Sequence, residues 1–568
     1  MQPGPNSLHR LETWLAKALD WVAVSRLRRV VLILTVAVIA GLPGLGALPV
    51  TDRDEARFAQ ATKQMLETGD LIDIRFQDQP RWKKPVGIYW LQAASASLAG
   101  GVEASIWAYR VPSLLGAVLA ALAVAWAVRP LVGQRAAILS ALMLPTALLT
   151  MAEATIAKTD AVLLAFAVLA LGAVVRSLPD MPRPSRLVAA ALWAALGFAV
   201  LVKGPIVPAI AALALLALWL LAPVKPQIAR LFPMVGLAVL VIVVAPWLVA
   251  IWHVSDGRFF AESVGQDLLG KVAQGQEKHW GPPGLYLALV WLTLWPWAAF
   301  IPLAAGWIWR ERGTLALIVL IAWVVPFWLV LEVVPTKLPH YVLPLYPALL
   351  TALACWAASE RTAAPSPALA WTSAGLVAVP GTVLALALIG LPIALESRVV
   401  WAAVPLAMLG ALAGILAAKA AFSGARLAQI AASLVAALAL GGGILQVGLP
   451  SLGTGFASPR IAAMVEPWRA CASGPLVSAG YREPSLVFLT ETGTRLALPA
   501  ETARFLAEDE GALVVLERRW MERVSTHWET APSLVERANL RYFNYNRGRF
   551  EDAVLLTSDD ARWQPCAR

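Results

Sequence analysis

Polar and apolar positions along this chain fall into long blocks. Runs of about twenty apolar residues, the length that crosses a bilayer, follow one another from residue 30 to residue 447 with short polar turns between them. Hydropathy predicts thirteen spans, at 30–48, 107–128, 134–152, 161–176, 187–202, 205–222, 231–252, 284–304, 314–334, 341–358, 368–394, 400–418 and 427–447. Two longer polar loops, 49–106 and 253–283, interrupt them, and a polar tail follows from residue 449. Within the first loop, Gly87 to Gly100 is apolar but too short to cross easily, which predicts an interfacial or re-entrant helix. Residues 8–24 place Leu11, Trp14, Leu15, Leu19 and Trp21 on one side, the pattern of an amphipathic helix on a membrane surface. In the tail, Pro475–Ser478, Leu486–Leu489 and Ala512–Leu516 predict short strands and 500–507 a helix, together a small α/β domain. The fold class is therefore mainly α: a polytopic membrane protein with about thirteen spans, interfacial helix in the first outer loop, and an α/β C-terminal domain.

Basic residues orient the blocks. Arg129 and Arg135, Arg176, Arg183 and Arg186, Lys225 and Arg230, Arg310 and Arg312, and Lys419 and Arg426 fall in alternate short turns, and Arg10, Lys17, Arg26, Arg28 and Arg29 precede the first span. Short basic turns stay in the cytoplasm, so residues 1–29 are cytoplasmic and both long loops and the tail face outward. Counting 87–100 as a span would invert everything after it. The first apolar run has no small-residue cleavage site and is expected to remain as a signal anchor. Composition agrees with this class: 59% of residues are hydrophobic and 14% charged, against about a quarter charged in soluble domains. The net charge of +10 does not point to nucleic acid, because the bases sit in the turns. The 25 tryptophans suit anchoring at the two interfaces. Of three cysteines, Cys471 and Cys566 lie near the ends of the tail; in an oxidising compartment they can pair, but two cysteines alone do not decide it.

Against this background the outward-facing charges stand out. Asp52, Arg53, Asp54, Glu55 and Arg57 follow the first span at once. Helix capping is one reading, since acids favour helix N-termini; three acids and two arginines in six residues are dense for that. Arg81, Lys83 and Lys84 precede Pro85, where they either snorkel to lipid headgroups or clamp a phosphate on which charge develops. Lys158 and Asp160, with Glu153 nearby, stand at the next outer turn, Lys203 at a Lys-Gly-Pro break, and Lys337 and His340 in a turn fixed by two prolines. Charges this close to hydrocarbon are costly unless paired or used. The second loop adds His253, Asp256, Arg258, Glu262, Asp267, Lys271, Lys278 and His279. His253, His279 and Glu262 are the residues a divalent metal such as zinc or magnesium would take, but no tight ligand spacing appears, and no cofactor is required.

RDEARFAQ after the first span, KKPVGIYW, AKTDAVLLAF, VKGPIVPAI and TKLPHYVLPLYPAL together resemble the bacterial lipid-carrier-dependent glycosyltransferases of the protein-O-mannosyltransferase, or GT-C, type. The resemblance covers about residues 30–360. Within that superfamily the chain looks most like the lipid A 4-amino-4-deoxy-L-arabinose transferases; where those enzymes often carry an acid before Lys-Pro, this chain has Lys83. The resemblance implies transfer of aminoarabinose from undecaprenyl phosphate to a lipid A phosphate at the periplasmic face of the inner membrane, a modification linked to cationic peptide and polymyxin resistance. It implies catalytic roles for Asp54, Glu55 and Asp160, donor-phosphate contacts from Lys84, Arg57 and Lys203, and a cavity lined by Lys83, Arg81, Arg258, Lys337 and His340. A hydroxyl acceptor would need a general base, for which Asp54 is suited; a phosphate acceptor would not, and Asp54 would then orient the sugar or pair with its ammonium. Direct displacement with inversion is expected, as no separate nucleophile is evident. A monomer among membrane lipids, with no nucleic acid partner, is the expected state. The other readings are a related transferase moving another lipid-linked sugar to a protein or glycan, and a lipid-linked sugar transporter or flippase. Transporters usually show internal repeats and midplane charges, neither of which is visible here.

Overall fold

The apolar blocks fold as helices packed side by side. The structure is a computed structural model and describes residues 7–567 apart from 264, 266–269, 271–279, 361–364, 529, 531 and 545–546. Asp267, Lys271, Lys278 and His279 lie outside the described residues. The helices in chain order are α1 (Ser7–Val24), α2 (Arg26–Gly41), α3 (Asp54–Thr68), α4 (Gly87–Leu98), α5 (Ile106–Met143), α6 (Leu148–Ala154), α7 (Asp160–Arg176), α8 (Arg186–Lys203), α9 (Ile206–Leu221) and α10 (Pro233–Ser255). They continue with α11 (Leu285–Thr293), α12 (Ile301–Glu311), α13 (Leu315–Val333), α14 (Tyr346–Ala358), α15 (Pro367–Glu396), α16 (Ala403–Ser423) and α17 (Arg426–Gly443). Among the described residues, eight helices are long and apolar enough to cross a membrane, and nine if a pair bent by 107° counts as one span. That bent pair covers the eighth expected span. The second and third share α5, which breaks at Gly133 with φ of 80°. The first, fourth and sixth fall on helices of 16 to 17 residues.

The first outer loop folds onto the helix bundle through its own helices. In α3, Phe58, Ala61, Thr62 and Met65 recur at helical spacing and are buried. Thr62 Oγ1 donates to Gln92 Oε1 of α4 at 2.8 Å, and the Phe58 and Tyr89 rings pack 5.4 Å apart. A small hairpin, β1 (Arg75–Phe76) with β2 (Gln79–Pro80), is held to α3 by a reciprocal pair of 2.8 Å bonds between Gln64 and Gln77. At the other end of the molecule α1 departs from its expected orientation. Leu11 and Leu15 pack on Ala420, Ala425 and Ala428, while Trp14 and Trp21 are exposed. The two tryptophans therefore sit off the face that docks on protein, where membrane-surface anchors belong.

The tail carries a five-stranded sheet of order β4-β3-β5-β7-β6: β3 (Val477–Ala479), β4 (Arg495–Ala497), β5 (Val514–Glu517), β6 (Leu534–Asn544) and β7 (Arg549–Ser558). β3 runs parallel to β4 and β5, and β7 runs antiparallel to β5 and β6. Both faces are covered, Leu513, Val515 and Leu555 on one side and Val514, Leu516 and Val554 on the other, the period-two alternation of a strand. Around the sheet lie α18 (Ala457–Val465), α19 (Pro484–Leu489) and α20 (Pro499–Glu508). The Leu486–Leu489 stretch, expected as a strand, is α19. Pro484 starts the helix at a position where the missing N–H costs nothing. Cys471 and Cys566 form a disulfide with Cα atoms 6.3 Å apart.

Candidate active site

Glu55 and Arg110 set the frame of the outer face. Both side chains are fully buried. Arg110 lies one turn into α5, and its guanidinium donates to Glu55 Oε1 at 2.7 Å and Oε2 at 2.9 Å. Its remaining donors reach the carbonyls of Gly44, Leu45, Leu48 and Pro49 at 2.6 to 3.2 Å, closing the exit of α2. Glu55 also accepts from Ala157 N at 2.9 Å and from Thr51 N and Oγ1 at 2.8 Å each. Burial alone would raise the Glu55 carboxyl; the Arg110 charge and the bonds to Arg110, Ala157 and Thr51 outweigh it and hold the group below the ordinary value. A carboxylate with both oxygens committed in a dry site has nothing left for a substrate. The catalytic role expected for Glu55 is therefore replaced by a structural one: it ties α3 to α5 and to the loop that carries Lys158.

Asp54, its neighbour, is the opposite. It opens α3, is exposed, and has no hydrogen bond or ion pair to another described residue. Capping does not explain it, because no side chain caps α3 and the N-cap position is Arg53, with φ of 67°. Asp54 adds to the field that raises the buried Lys158 ammonium; burial works against that charge, and Glu153 and Asp160 supply the larger part of its support. Asp54 is thus within electrostatic reach of the next cluster.

That cluster joins three outer turns. Asp160, at the start of α7, accepts from Lys203 Nζ at 2.5 Å and lies 3.8 Å from Lys158 Nζ and from His340 Nε2. Lys158 Nζ lies 3.3 Å from Glu153 Oε1 and 3.4 Å from His340 Nδ1. His340 Nδ1 also lies 3.7 Å from Glu153 Oε1, so the imidazole stands between the two carboxylates and the Lys158 ammonium. Glu153 Oε2 is buried and lacks a hydrogen-bond partner among the described residues. Asp160, Lys203 and His340 are brought together, with Glu153 and Lys158 added. Lys203 is charge-paired with Asp160, and its ammonium lies 5.3 Å from the Tyr341 ring; in this arrangement it positions Asp160 instead of standing open to a phosphate.

The Lys-Pro turn is set against the same cluster by a glycine. A Cβ at Gly87 would lie 2.8 Å from both the carbonyl carbon and oxygen of Leu201, so only glycine lets the turn ending in Lys84-Pro85-Val86 press on the last turn of α8, two residues before Lys203. Lys84 and Arg57 are half-buried and Lys83 is exposed. Arg81 is buried, with its guanidinium 4.9 Å from the Phe58 ring, and Arg258 lies 5.2 Å over Trp82, linking the second long loop to the first. Trp82 in turn donates to Asp73 at 2.7 Å.

Lys337 departs from expectation. Its side chain is fully buried, and Nζ donates to the carbonyls of Leu331, Glu332 and Val334 at 2.8 to 2.9 Å. It closes the C-terminal end of α13 instead of lining a cavity, which is where a cation meets unpaired carbonyls and the negative end of the helix dipole. Arg398, another outward charge, is likewise bonded to Ser451 O at 2.8 Å. Arg110 was missed by sequence reasoning. Its signal was available as a charge inside an apolar block, which is costly unless partnered, but its partner 55 residues away was not. Among the described residues no group of three His, Cys, Asp or Glu side chains is placed to hold a metal ion.

A family model described as dolichyl-phosphate-mannose-protein mannosyltransferase matches residues 83–252, the stretch holding Lys84, Arg110, Lys158, Asp160 and Lys203. The undecaprenyl phosphate-alpha-4-amino-4-deoxy-L-arabinose arabinosyl transferase of Pectobacterium atrosepticum is 28% identical over 335 residues, 58% of this chain and 59% of that protein. The protein of that name from Yersinia pestis (strain Pestoides F) is 28% identical over 323 residues, 55% of this chain and 56% of its own length. The chain thus spans somewhat over half the length of the curated relatives it matches. Among solved structures, ArnT from Cupriavidus metallidurans bound to undecaprenyl phosphate aligns with a TM-score of 0.70 at 18% identity, covering 93% of this chain and 98% of that one. The same protein in the apo state gives 0.70 at 19% identity, with 95% and 98% covered. The fold is that of the two ArnT structures. By sequence, the relatives that this multi-pass membrane chain resembles are the arabinosyl transferases just named.

Proposed function

We propose that this chain is a polyprenyl-phosphate-dependent glycosyltransferase that moves 4-amino-4-deoxy-L-arabinose from undecaprenyl phosphate to a phosphate of lipid A, at the periplasmic face of the inner membrane. The observation that carries the reading is the contrast at the start of α3: an open Asp54 carboxylate beside the largely buried cluster of Glu153, Lys158, Asp160, Lys203 and His340. Names of relatives supply the sugar and the carrier, and the open Asp54 carboxylate suits a sugar bearing an ammonium.

In the proposed step an acceptor phosphate oxygen attacks the anomeric carbon while its bond to the carrier phosphate oxygen breaks, inverting the centre. The carrier leaves as a phosphate monoester with one more negative charge on it. Lys84 and Arg57 are the cations assigned to that charge; an ammonium about 4 Å from a phosphate oxygen is worth about 4 kcal/mol at intermediate dielectric. An acceptor phosphate is anionic near neutral pH and needs no base, so Asp54 holds the sugar ammonium. Asp160, fixed by Lys203, adds a second carboxylate near the transferred sugar. No step is routed through a metal.

The test is mass spectrometry of lipid A from cells with and without this protein, donor synthesis being intact. A protein-dependent increment of one aminopentose, lost in Asp54→Ala and Lys84→Ala, is expected. Unmodified lipid A in cells that make the folded protein would move the assignment to another lipid-linked sugar or acceptor. Reporter fusions at residues 70 and 455 are expected to read periplasm, and one at residue 182 cytoplasm.

A further inference from the structure

α1 takes no part in the proposed step, and its two faces do different things. Leu11 and Leu15 pack on Ala420, Ala425 and Ala428, and Leu19 and Val22 continue that contact on the main core. Both acids of α1 bond to the protein. Glu12 accepts from Leu427 N at 3.1 Å and from Ala428 N at 2.9 Å, capping the start of α17. Asp20 accepts from the Arg135 guanidinium at 2.6 and 2.7 Å. These contacts lay α1 across the turn between α16 and α17 and against α5 near its break at Gly133. Arg135, Lys419 and Arg426 stand in or beside those turns, and they belong to the basic set that stays on the cytoplasmic side.

The face left over carries Arg10, Trp14, Lys17 and Trp21, all exposed, the two tryptophans at 64% and 59%. At 3.6 residues per turn these four fall within about 60° of one another, so cation and tryptophan alternate along one stripe. The Arg10 and Lys17 side chains have no hydrogen bond or ion pair among the described residues. Arg28 extends the stripe: its guanidinium lies 3.8 Å over the Trp21 ring and donates to Trp21 O at 3.0 Å. A helix facing lipid tails looks different. α10 exposes Met234, Leu237, Ile242 and Val249, with no charged residue from 233 to 252.

We propose that this stripe binds anionic phospholipid headgroups of the cytoplasmic leaflet, with Arg10 and Lys17 on the phosphates and Trp14 and Trp21 seated at the headgroup boundary. The proposal does not depend on which sugar or acceptor the protein uses. Charge complementarity selects the occupant. The acids of α1 are turned to the protein, so the outward charges are positive, and the rings beside them are amphipathic anchors. A zwitterionic headgroup offers the same phosphate but carries its own ammonium beside it. Free cations therefore favour lipids with net negative charge, each contributing about fivefold near an anionic surface.

The experiment follows hydrogen exchange of the α1 amides by mass spectrometry in the full-length protein. The protein is held in nanodiscs of phosphatidylcholine, with or without phosphatidylglycerol. Phosphatidylglycerol is expected to slow α1 exchange by about tenfold, and added salt to remove most of that gain. Arg10→Gln combined with Lys17→Gln should abolish the gain, leaving the rate in phosphatidylcholine and the thermal midpoint in neutral detergent as in wild type. Trp14→Ala combined with Trp21→Ala should speed exchange in both lipids. Equal wild-type exchange in the two lipids, a gain that survives loss of both cations, or tryptophan variants that exchange like wild type would each overturn the proposal. So would protection in phosphatidylcholine that appears only when two copies share a nanodisc, which would assign the stripe to a second copy of this chain.

Discussion

Two buried charge groups meet at one short loop and behave in opposite ways. Ala157 N bonds to Glu55 of the Glu55–Arg110 pair, and the next residue, Lys158, belongs to the cluster with Glu153, Asp160 and His340. In the first group one anion meets one cation, and the other guanidinium hydrogens meet backbone carbonyls. In the second, two acids share two lysines and a histidine at distances from 2.5 to 3.8 Å, and one Glu153 oxygen has no hydrogen-bond partner among the described residues. A saturated pair fixes geometry. An unevenly satisfied cluster next to an open Asp54 has capacity left for a ligand. Burial of charge therefore does not separate the two groups; incomplete satisfaction does, and it is the ground on which the proposed reactive residues are chosen.

The comparison breaks first at Glu55. Removing one partner of a buried pair strands the other, at about 3–5 kcal/mol, so Glu55→Ala and Arg110→Met should each lower the thermal midpoint in detergent sharply. Because the folded Glu55 carboxyl sits below its ordinary value, its contribution is present above the usual carboxylate range and is lost as pH falls through the folded value. Acid should therefore destabilise wild type in a way that Glu55→Gln no longer shows. A Glu55→Ala protein that melts like wild type would remove the structural role argued for this residue.

Asp54→Ala is expected to melt within about 0.5 kcal/mol of wild type, as exposed sites do, and to lose transfer by about 100-fold or more. Substantial destabilisation would mean that the two acids share one structural task after all. Lys203→Met sharpens the cluster side: Asp160 keeps only its longer contacts, and kcat should fall by about tenfold while undecaprenyl phosphate affinity holds. A large loss of carrier affinity would return Lys203 to the phosphate. The smallest effect belongs to Lys337→Met, which frees three carbonyls at the end of α13 and should cost about 1–2 kcal/mol of stability without changing KM or kcat in transfer assays.

The membrane architecture was legible because its cause is local. A bilayer demands about twenty apolar residues per crossing and leaves cations on the cytoplasmic side, so block lengths and basic turns carry the information in order along the chain. The same logic flagged the outward charges, since each is costly where it stands. What local reasoning could not supply was how each cost is met. Lys337 and Asp160 look alike in sequence, as charged residues at outer turns. One proves to be capped by its own helix end, and the other is joined to residues from two other turns.

Thus the sequence by itself determined a polytopic helical protein with its polar loops and tail on one face, and singled out the charges gathered there as candidates for the proposed chemistry. Only the tertiary structure decided that Asp54 is open while Glu55 is locked. Adjacent residues on a helix point about 100° apart, and which of two directions meets Arg110 depends on a helix that begins some fifty residues later.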